Sequence, residues 1–166
     1  ELADRRACIV SQYIAKPLLI DSLKFDLRIY VALTSVLPLR IYVYEEGLTR
    51  FATQPYSPPE KQMTNDGRYT HLTNYSINKQ NKNFVRPIYQ ADMQRTKWSL
   101  EALKKVLRAN NIDDKPVFHK IHEIIIKTFL SVERVMVAAH GQQVPFRWNC
   151  FQLFGFDVLI DENLQP

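Results

Sequence analysis

Three charged side chains alternate along one predicted β-strand. In "KFDLRIYVAL", residues 24–33, Lys24, Asp26 and Arg28 occupy alternate positions, and apolar residues fill the positions between them. Successive side chains of a strand point to opposite faces, so the three charges share one face and the apolar groups share the other. The charged face therefore meets either water or a charged ligand.

Two further charged residues lie between apolar neighbours. Arg50 stands in "LTRFAT" and Asp157 in "GFDVLID", both within predicted strands. A carboxylate in such a run is costly unless it is paired or holds a metal. Lysine and arginine side chains with a carboxylate that holds Mg²⁺ are the residue types that bind a nucleoside triphosphate without a glycine-rich loop. By spacing alone, a solvated strand face remains the commoner alternative.

The elements that must position these residues follow in a simple order. "CIVSQYI" predicts a first strand, and "LRIYVYEEGLTRFAT" predicts a hairpin whose turn "EEG" uses Gly47 at positive φ. A long polar segment runs from Gln54 to Lys97. Two helices follow, in "KWSLEALKKVLRAN" and in "KPVFHKIHEIIIKTFLSVERVMVAA", the second with Asp113 or Asp114 as N-cap and Pro116 in its first turn. "WNCFQLFGFDVLIDEN" closes the chain as a strand and turn, which indicates an α+β domain with an antiparallel sheet.

Composition and charge restrict the class of protein. The chain has 166 residues, 46% of them hydrophobic, and a formal net charge of +5. Residues 54–97 hold seven Lys or Arg against three acidic residues, which suggests an acidic partner or a solvated loop. No apolar run approaches the roughly 18–20 residues of a membrane span, so we expect no membrane association.

Several familiar motifs are absent. His122 and Glu123 begin a zinc-protease pattern, but Ile126 stands where the second histidine belongs, so we expect His119 and His122 on a helix surface. Four glycines in the whole chain exclude a glycine-rich phosphate loop. Asp161 is expected to cap a turn.

Four stretches together carry a family resemblance: "KPLLIDSLKFDLRIYVALTS", "PLRIYVYEEGLTRFAT", "HLTNYSINK" and "CFQLFGFDVLIDENLQP". They resemble the tubulin–tyrosine ligase-like family, and most closely its glutamate-adding members, in order over essentially the whole chain. The resemblance implies an ATP-grasp-like α+β fold, a mainly antiparallel sheet with two helices and a long basic loop. It also implies that residues 1–166 form the central and C-terminal part of one catalytic domain, incomplete at both ends and inactive by itself.

The resemblance assigns roles residue by residue. ATP binding falls on Ser11, Gln12, Tyr13, Ile14, Lys24, Asp26, Arg28, His71, Thr73 and Asn74, with Asp26 suited to a ribose hydroxyl. The residues that correspond to the pocket for the incoming glutamate are Arg50, Tyr75, Ser76 and Lys97. Asp157 matches a magnesium ligand, and Arg28 and Arg50 are the expected catalytic residues.

The implied reaction uses ATP and Mg²⁺. An acceptor side-chain carboxylate becomes an acyl phosphate, and free glutamate then displaces phosphate to form an isopeptide bond. The implied partners are the acidic tails of tubulin and microtubules, and we expect a monomer in the cytoplasm and cytoskeleton, with the cilium or basal body as a further location.

Two other function classes stay open. One is a non-catalytic module of the same fold that binds acidic protein tails through its basic loop. The other is nucleic-acid binding through Tyr69, Tyr75, Phe84 and Tyr89 interleaved with basic residues. These aromatics follow no RNA-binding motif, so we expect no nucleic-acid partner.

Overall fold

The fold combines one antiparallel sheet with two long helices. The computed structural model describes residues 10–59, 67–82, 84, 93–94, 96–144, 146 and 149–166. In chain order the elements are β1 (Leu19–Ile20), β2 (Leu23–Val36), β3 (Leu39–Phe51), α1 (Arg68–His71), α2 (Tyr75–Asn78), β4 (Met93–Gln94), β5 (Lys97–Ser99), α3 (Leu100–Ala109), α4 (Asp114–Gln143) and β6 (Gln152–Val158).

Strand β2 lies at the centre of the sheet. It pairs with β3 on one side and with β6 on the other, and β1 folds back on its first residues. β5 pairs with the end of β3, and β4 pairs with β5. All these pairings are antiparallel, so the predicted α+β class with an antiparallel sheet and two helices is confirmed.

The two faces of β2 divide the molecule as the alternation predicts. Its apolar residues, from Phe25 to Leu33, are at most 6% exposed and form the core. Leu103 of α3 and Ile121 of α4, both fully buried, belong to the same core cluster. Removing this apolar area from water stabilises the fold and leaves the opposite face of β2 for its charged residues.

Both long helices begin at side-chain caps. The Ser99 hydroxyl accepts a hydrogen bond from the Ala102 N–H at 3.1 Å, and the Asp113 carboxylate accepts one from the Lys115 N–H at 3.1 Å. Such caps satisfy N–H groups that have no partner within the helix. The two predicted helices are confirmed, although Trp98 lies in β5 before the first of them. The described helices include none with the length and apolar character needed to cross a membrane.

Two strand predictions are wrong. The "EEG" turn does not form: β3 runs without interruption from Leu39 to Phe51, and Gly47 lies inside it without a positive φ. A side chain at Gly47 would collide with the Arg28 carbonyl oxygen, so close approach of the two strands explains this glycine. The chain instead reverses at Leu37 and Pro38. Of the predicted first strand, residues 10–14 have no regular structure, and its earlier residues lie outside the described ones.

Two histidines of α4 and the last turn of the chain lie as the sequence predicts. His119 and His122 are exposed on α4. The Asp161 carboxylate accepts hydrogen bonds from the backbone N–H groups of Asn163 and Gln165, each at 2.8 Å, and caps the last turn as predicted. The long polar segment contains the single-turn helices α1 and α2 and then β4 and β5.

Candidate functional site

Strand pairing brings four charged residues together on the face of the sheet opposite the apolar core. Asp26 lies opposite Arg50 in the β2–β3 register, and Arg28 lies opposite Asp157 in the β2–β6 register. We call Asp26, Arg28, Arg50 and Asp157 the charge cluster. The register places cation beside anion on neighbouring strands, where opposite charges attract.

The charge cluster is linked by hydrogen bonds. Arg50 donates from Nε to Asp26 Oδ1 at 2.7 Å and from Nη2 to Asp26 Oδ2 at 2.5 Å. Arg28 holds Asp157 in the same two-point manner, with Nη2 to Oδ2 at 3.0 Å. Arg50 Nη2 also lies 3.0 Å from Asp157 Oδ1, so one chain of contacts runs from Asp26 to Arg28.

These contacts control protonation. Burial alone would raise the pKa of Asp157, but hydrogen bonds from Arg28 and then from Arg50 outweigh it, and the pKa lies below its usual value. Hydrogen bonding to Asp26 raises the pKa of Arg50. Asp157 is therefore a carboxylate at neutral pH, between two guanidinium groups.

Gly155 makes room for Arg28. A Cβ at this position of β6 would lie 3.0 Å from Arg28 Cδ and 3.3 Å from its Nε. The Arg28 side chain thus lies across the glycine to reach Asp157, two residues further along β6. The sequence offered a signal, a glycine inside a strand pattern, which often marks close approach.

Lys24 and His71 form a second group at the start of β2, and both are buried. Tyr13 joins them: its hydroxyl lies 2.8 Å from His71 Nδ1, and Lys24 Nζ lies 4.6 Å from the centre of its ring. Burial lowers the pKa of Lys24, and burial with the nearby Lys24 charge lowers that of His71. Tyr13 thereby connects residues 11–14, which the resemblance assigns to ATP binding, to Lys24 of the sheet.

The remaining residues assigned to ATP lie in different settings. Thr73 is buried and donates from its hydroxyl to Asp26 Oδ2 at 2.8 Å, so it contacts the charge cluster. Asn74 is exposed at the start of α2. Ser11, Gln12 and Ile14 are exposed in a segment without regular structure. The nucleotide contacts of these residues stay predictions.

A pocket of about 190 Å³ opens beside the charge cluster. Its lining includes three cations, Arg28, Arg50 and Lys97, together with Tyr75, and no acidic residue is among the described residues that line it. Of the four residues assigned to glutamate, the pocket unites Arg50, Tyr75 and Lys97 but not Ser76, which is exposed on α2. A small cationic pocket of this kind suits a ligand with carboxylate groups.

The pocket also contains a residue that sequence reasoning missed. Asn78 contributes to its lining and is only 1% exposed. Asn78 lies within "HLTNYSINK", one of the stretches that carry the family resemblance, but its residue type alone does not indicate which backbone groups surround it.

Asp157 fits one ligand position of a magnesium ion. Its ionised carboxylate is half exposed on the same face as Arg28 and offers hard oxygen donors. Mg²⁺ in nucleotide sites is commonly held by one or two carboxylates and by the substrate phosphates. Within the described ranges, no three His, Cys, Asp or Glu side chains gather into a metal site. An ion held by Asp157 would need further ligands, such as phosphate oxygens of a bound nucleotide.

The whole chain matches a known protein family and several named relatives. A family model described as "Tubulin-tyrosine ligase family" matches residues 1–166. The chain is 42% identical over 166 residues to the mouse tubulin monoglutamylase TTLL4, covering 100% of this chain and 14% of that protein. It is 44% identical over 159 residues to the mouse tubulin polyglutamylase TTLL5, covering 95% of this chain and 12% of the relative. The chain is 42% identical over 160 residues to the Caenorhabditis elegans tubulin polyglutamylase ttll-5, covering 95% of this chain and 22% of that protein.

The chain thus spans between 12% and 22% of the length of these three relatives. The match nevertheless extends over the full described sheet and both long helices, and the resemblance found in the motifs is confirmed. The chain belongs to the tubulin-tyrosine ligase family.

Proposed function

We propose that the protein is an ATP- and Mg²⁺-dependent ligase that joins glutamate to side-chain carboxylates of tubulin tails. The observation that carries the proposal is the pocket lined by Arg28, Arg50 and Lys97, directly beside Asp157 and the residues assigned to ATP. The names of the relatives, a tubulin monoglutamylase and tubulin polyglutamylases, support the same reaction.

The pocket suits free glutamate. Glutamate brings two carboxylates, and a site that selects it must replace their hydration with cations. Arg50 is held in one orientation by Asp26, which reduces the side-chain entropy lost on binding. Lys97 lies opposite Arg50 in the β3–β5 register and lines the same pocket. Two cations on adjacent strands match the two carboxylates of the amino acid.

The neighbouring residues suit a nucleotide. Lys24 and Arg28 share the sheet face with Asp157 and would contact phosphates, and Asp157 would hold Mg²⁺, which supplies charge neutralisation at the phosphates when bound. Asp26 already accepts three hydrogen bonds, two from Arg50 and one from Thr73. A carboxylate accepts about four, which leaves capacity for one ribose hydroxyl.

The chemistry needs no nucleophile from the protein. An acceptor carboxylate oxygen attacks the γ-phosphorus of ATP, the bond to ADP breaks, and an acyl phosphate forms. The glutamate amine then attacks the acyl carbon and loses a proton, and inorganic phosphate leaves. Arg28 and Arg50 would stabilise the negative charge that develops on the transferring phosphoryl oxygens. We further propose that the protein acts on tubulin as a monomer in the cytoplasm and at the cytoskeleton.

Incorporation of labelled glutamate tests this proposal. The full-length protein with ATP, Mg²⁺ and tubulin should form labelled tubulin, whereas a module that only binds acidic tails would retain tubulin without incorporating label. Lys97→Ala should raise the KM for glutamate by about 10-fold or more, because one substrate carboxylate loses its cation. Lys105→Ala, on the exposed side of α3, is the matched control. If Lys97→Ala changes only the KM for ATP, Lys97 serves the phosphates and the glutamate assignment is wrong.

A further inference from the structure

The Asn78 side chain makes four hydrogen bonds beside the pocket. Its Oδ1 accepts from the Thr53 N–H at 3.2 Å and from the Thr53 hydroxyl at 2.8 Å. Its Nδ2 donates to the carbonyl oxygens of Leu72 at 2.7 Å and Asn74 at 3.1 Å. Both donors and both acceptor positions of the amide are therefore used, in a residue that is 1% exposed.

These four bonds join two parts of the chain that meet at the pocket. Thr53 follows the end of β3, three residues after Arg50. Leu72 and Asn74 flank Thr73, whose hydroxyl donates to the same Asp26 oxygen that Arg50 Nη2 contacts. The Asn78 amide thus fastens the segment 72–74 to the strand that carries Arg50.

The segment held in this way forms one side of the pocket. Thr73 and Tyr75, the first residue of α2, line it on one side, and Arg50 lines it from β3. Asn78 is placed to set the separation between these two sides, because its short side chain bridges their backbones directly. A longer side chain would push the two sides of the pocket apart, and a charged one would repel backbone groups that now bind the amide.

We propose that Asn78 is a positioning residue that sets the width of the glutamate pocket and thereby the affinity for the incoming amino acid. The inference rests on the proposed function. Asn78 acts through the backbone of segment 72–74, and its amide is saturated by protein groups, so it has no hydrogen-bonding capacity left for the substrate itself.

The substitution Asn78→Asp tests the inference in the full-length protein. The substitution keeps the shape of the side chain. It places a carboxylate oxygen against the two carbonyl oxygens that accept from the Asn78 N–H₂ group in the wild-type protein. Segment 72–74 should move away from the new charge. The KM for glutamate should rise by about 10-fold or more, with the Kd for a non-hydrolysable ATP analogue within about twofold of the wild-type value.

Two further variants keep the test decisive. Asn110→Asp is the matched control. Asn110 donates to the Val106 carbonyl oxygen at 2.8 Å at the exposed end of α3. This variant should leave the KM for glutamate and the Kd for the ATP analogue unchanged. If Asn78→Asp does not fold, as judged by circular dichroism, Thr53→Val is the second variant. It removes the hydroxyl that donates to Asn78 Oδ1 and that also accepts from Asn81 Nδ2 at 2.9 Å, and it keeps the Thr53 N–H bond to Asn78. It should raise the KM for glutamate by about 3-fold.

The outcomes separate the inference from the function beneath it. If the wild-type protein incorporates no glutamate, the proposed function fails. If it does so and a folded Asn78→Asp variant keeps the wild-type KM for glutamate, the positioning role fails alone. Equal loss of nucleotide and glutamate affinity would indicate general destabilisation and also overturn it.

Discussion

Removing one partner of the ion pair between Asp26 and Arg50 should strongly destabilise this sheet. The two side chains are only 10% and 13% exposed, so water screens their interaction weakly. Arg50→Ala would leave the Asp26 carboxylate with the Thr73 hydroxyl as its one hydrogen-bond donor among the described residues, with the Lys24 charge nearby. Removing one member of a buried pair costs about 3–5 kcal/mol, and the retained hydroxyl favours the lower end, about 3 kcal/mol.

Thermal unfolding followed by circular dichroism measures this cost. For a domain of this size about 3 kcal/mol corresponds to a decrease in Tm of about 6–12 °C. The double variant Asp26→Asn/Arg50→Ala removes the unpaired charge and should recover at least half of that decrease. Arg134→Ala, at an exposed position of α4, is the matched control and should melt like the wild type. A single variant that melts within about 2 °C of the wild type, or a double variant that melts below the single one, would contradict this reasoning.

Three further predictions concern packing and protonation. Thr49→Val should raise the Tm by about 2–4 °C, because the buried Thr49 hydroxyl has no hydrogen-bond partner among the described residues. An unchanged or lower Tm would indicate that the hydroxyl is hydrogen-bonded in solution. Gly155→Val should lower kcat/KM for ATP by about 10-fold or more, because the valine side chain would displace Arg28. Valine is itself favoured in strands, so the strand should persist. Unchanged kinetics would show that the position of Arg28 is not critical. The pKa of His71 is lowered in the folded protein, so the unfolded chain takes up the proton first, and stability should fall as the pH drops below about 6.5. His71→Gln should lessen this loss in Tm measured between about pH 7.5 and about pH 5.5, and His119→Gln, on the exposed surface of α4, should not.

Much of the fold follows from local patterns. The alternation along residues 24–33 predicts both the buried face of β2 and the face that carries Lys24, Asp26 and Arg28, because a strand has a fixed period of two. The caps at Ser99 and Asp113 likewise depend on residues close in sequence. The error at "EEG" has a physical cause: a glycine signals either a turn or a close approach of backbones, and local sequence does not distinguish them.

The sequence by itself determined the residue types of the site, the strands that carry them and the family to which they belong. The tertiary structure decided which charge meets which. Asp26 with Arg50 and Arg28 with Asp157 depend on strand register, which long-range packing sets, since Arg28 and Asp157 are separated by 129 positions. The same holds for the room beside Gly155 and for the four bonds of Asn78, because they depend on backbone groups that only the folded chain brings within hydrogen-bonding distance.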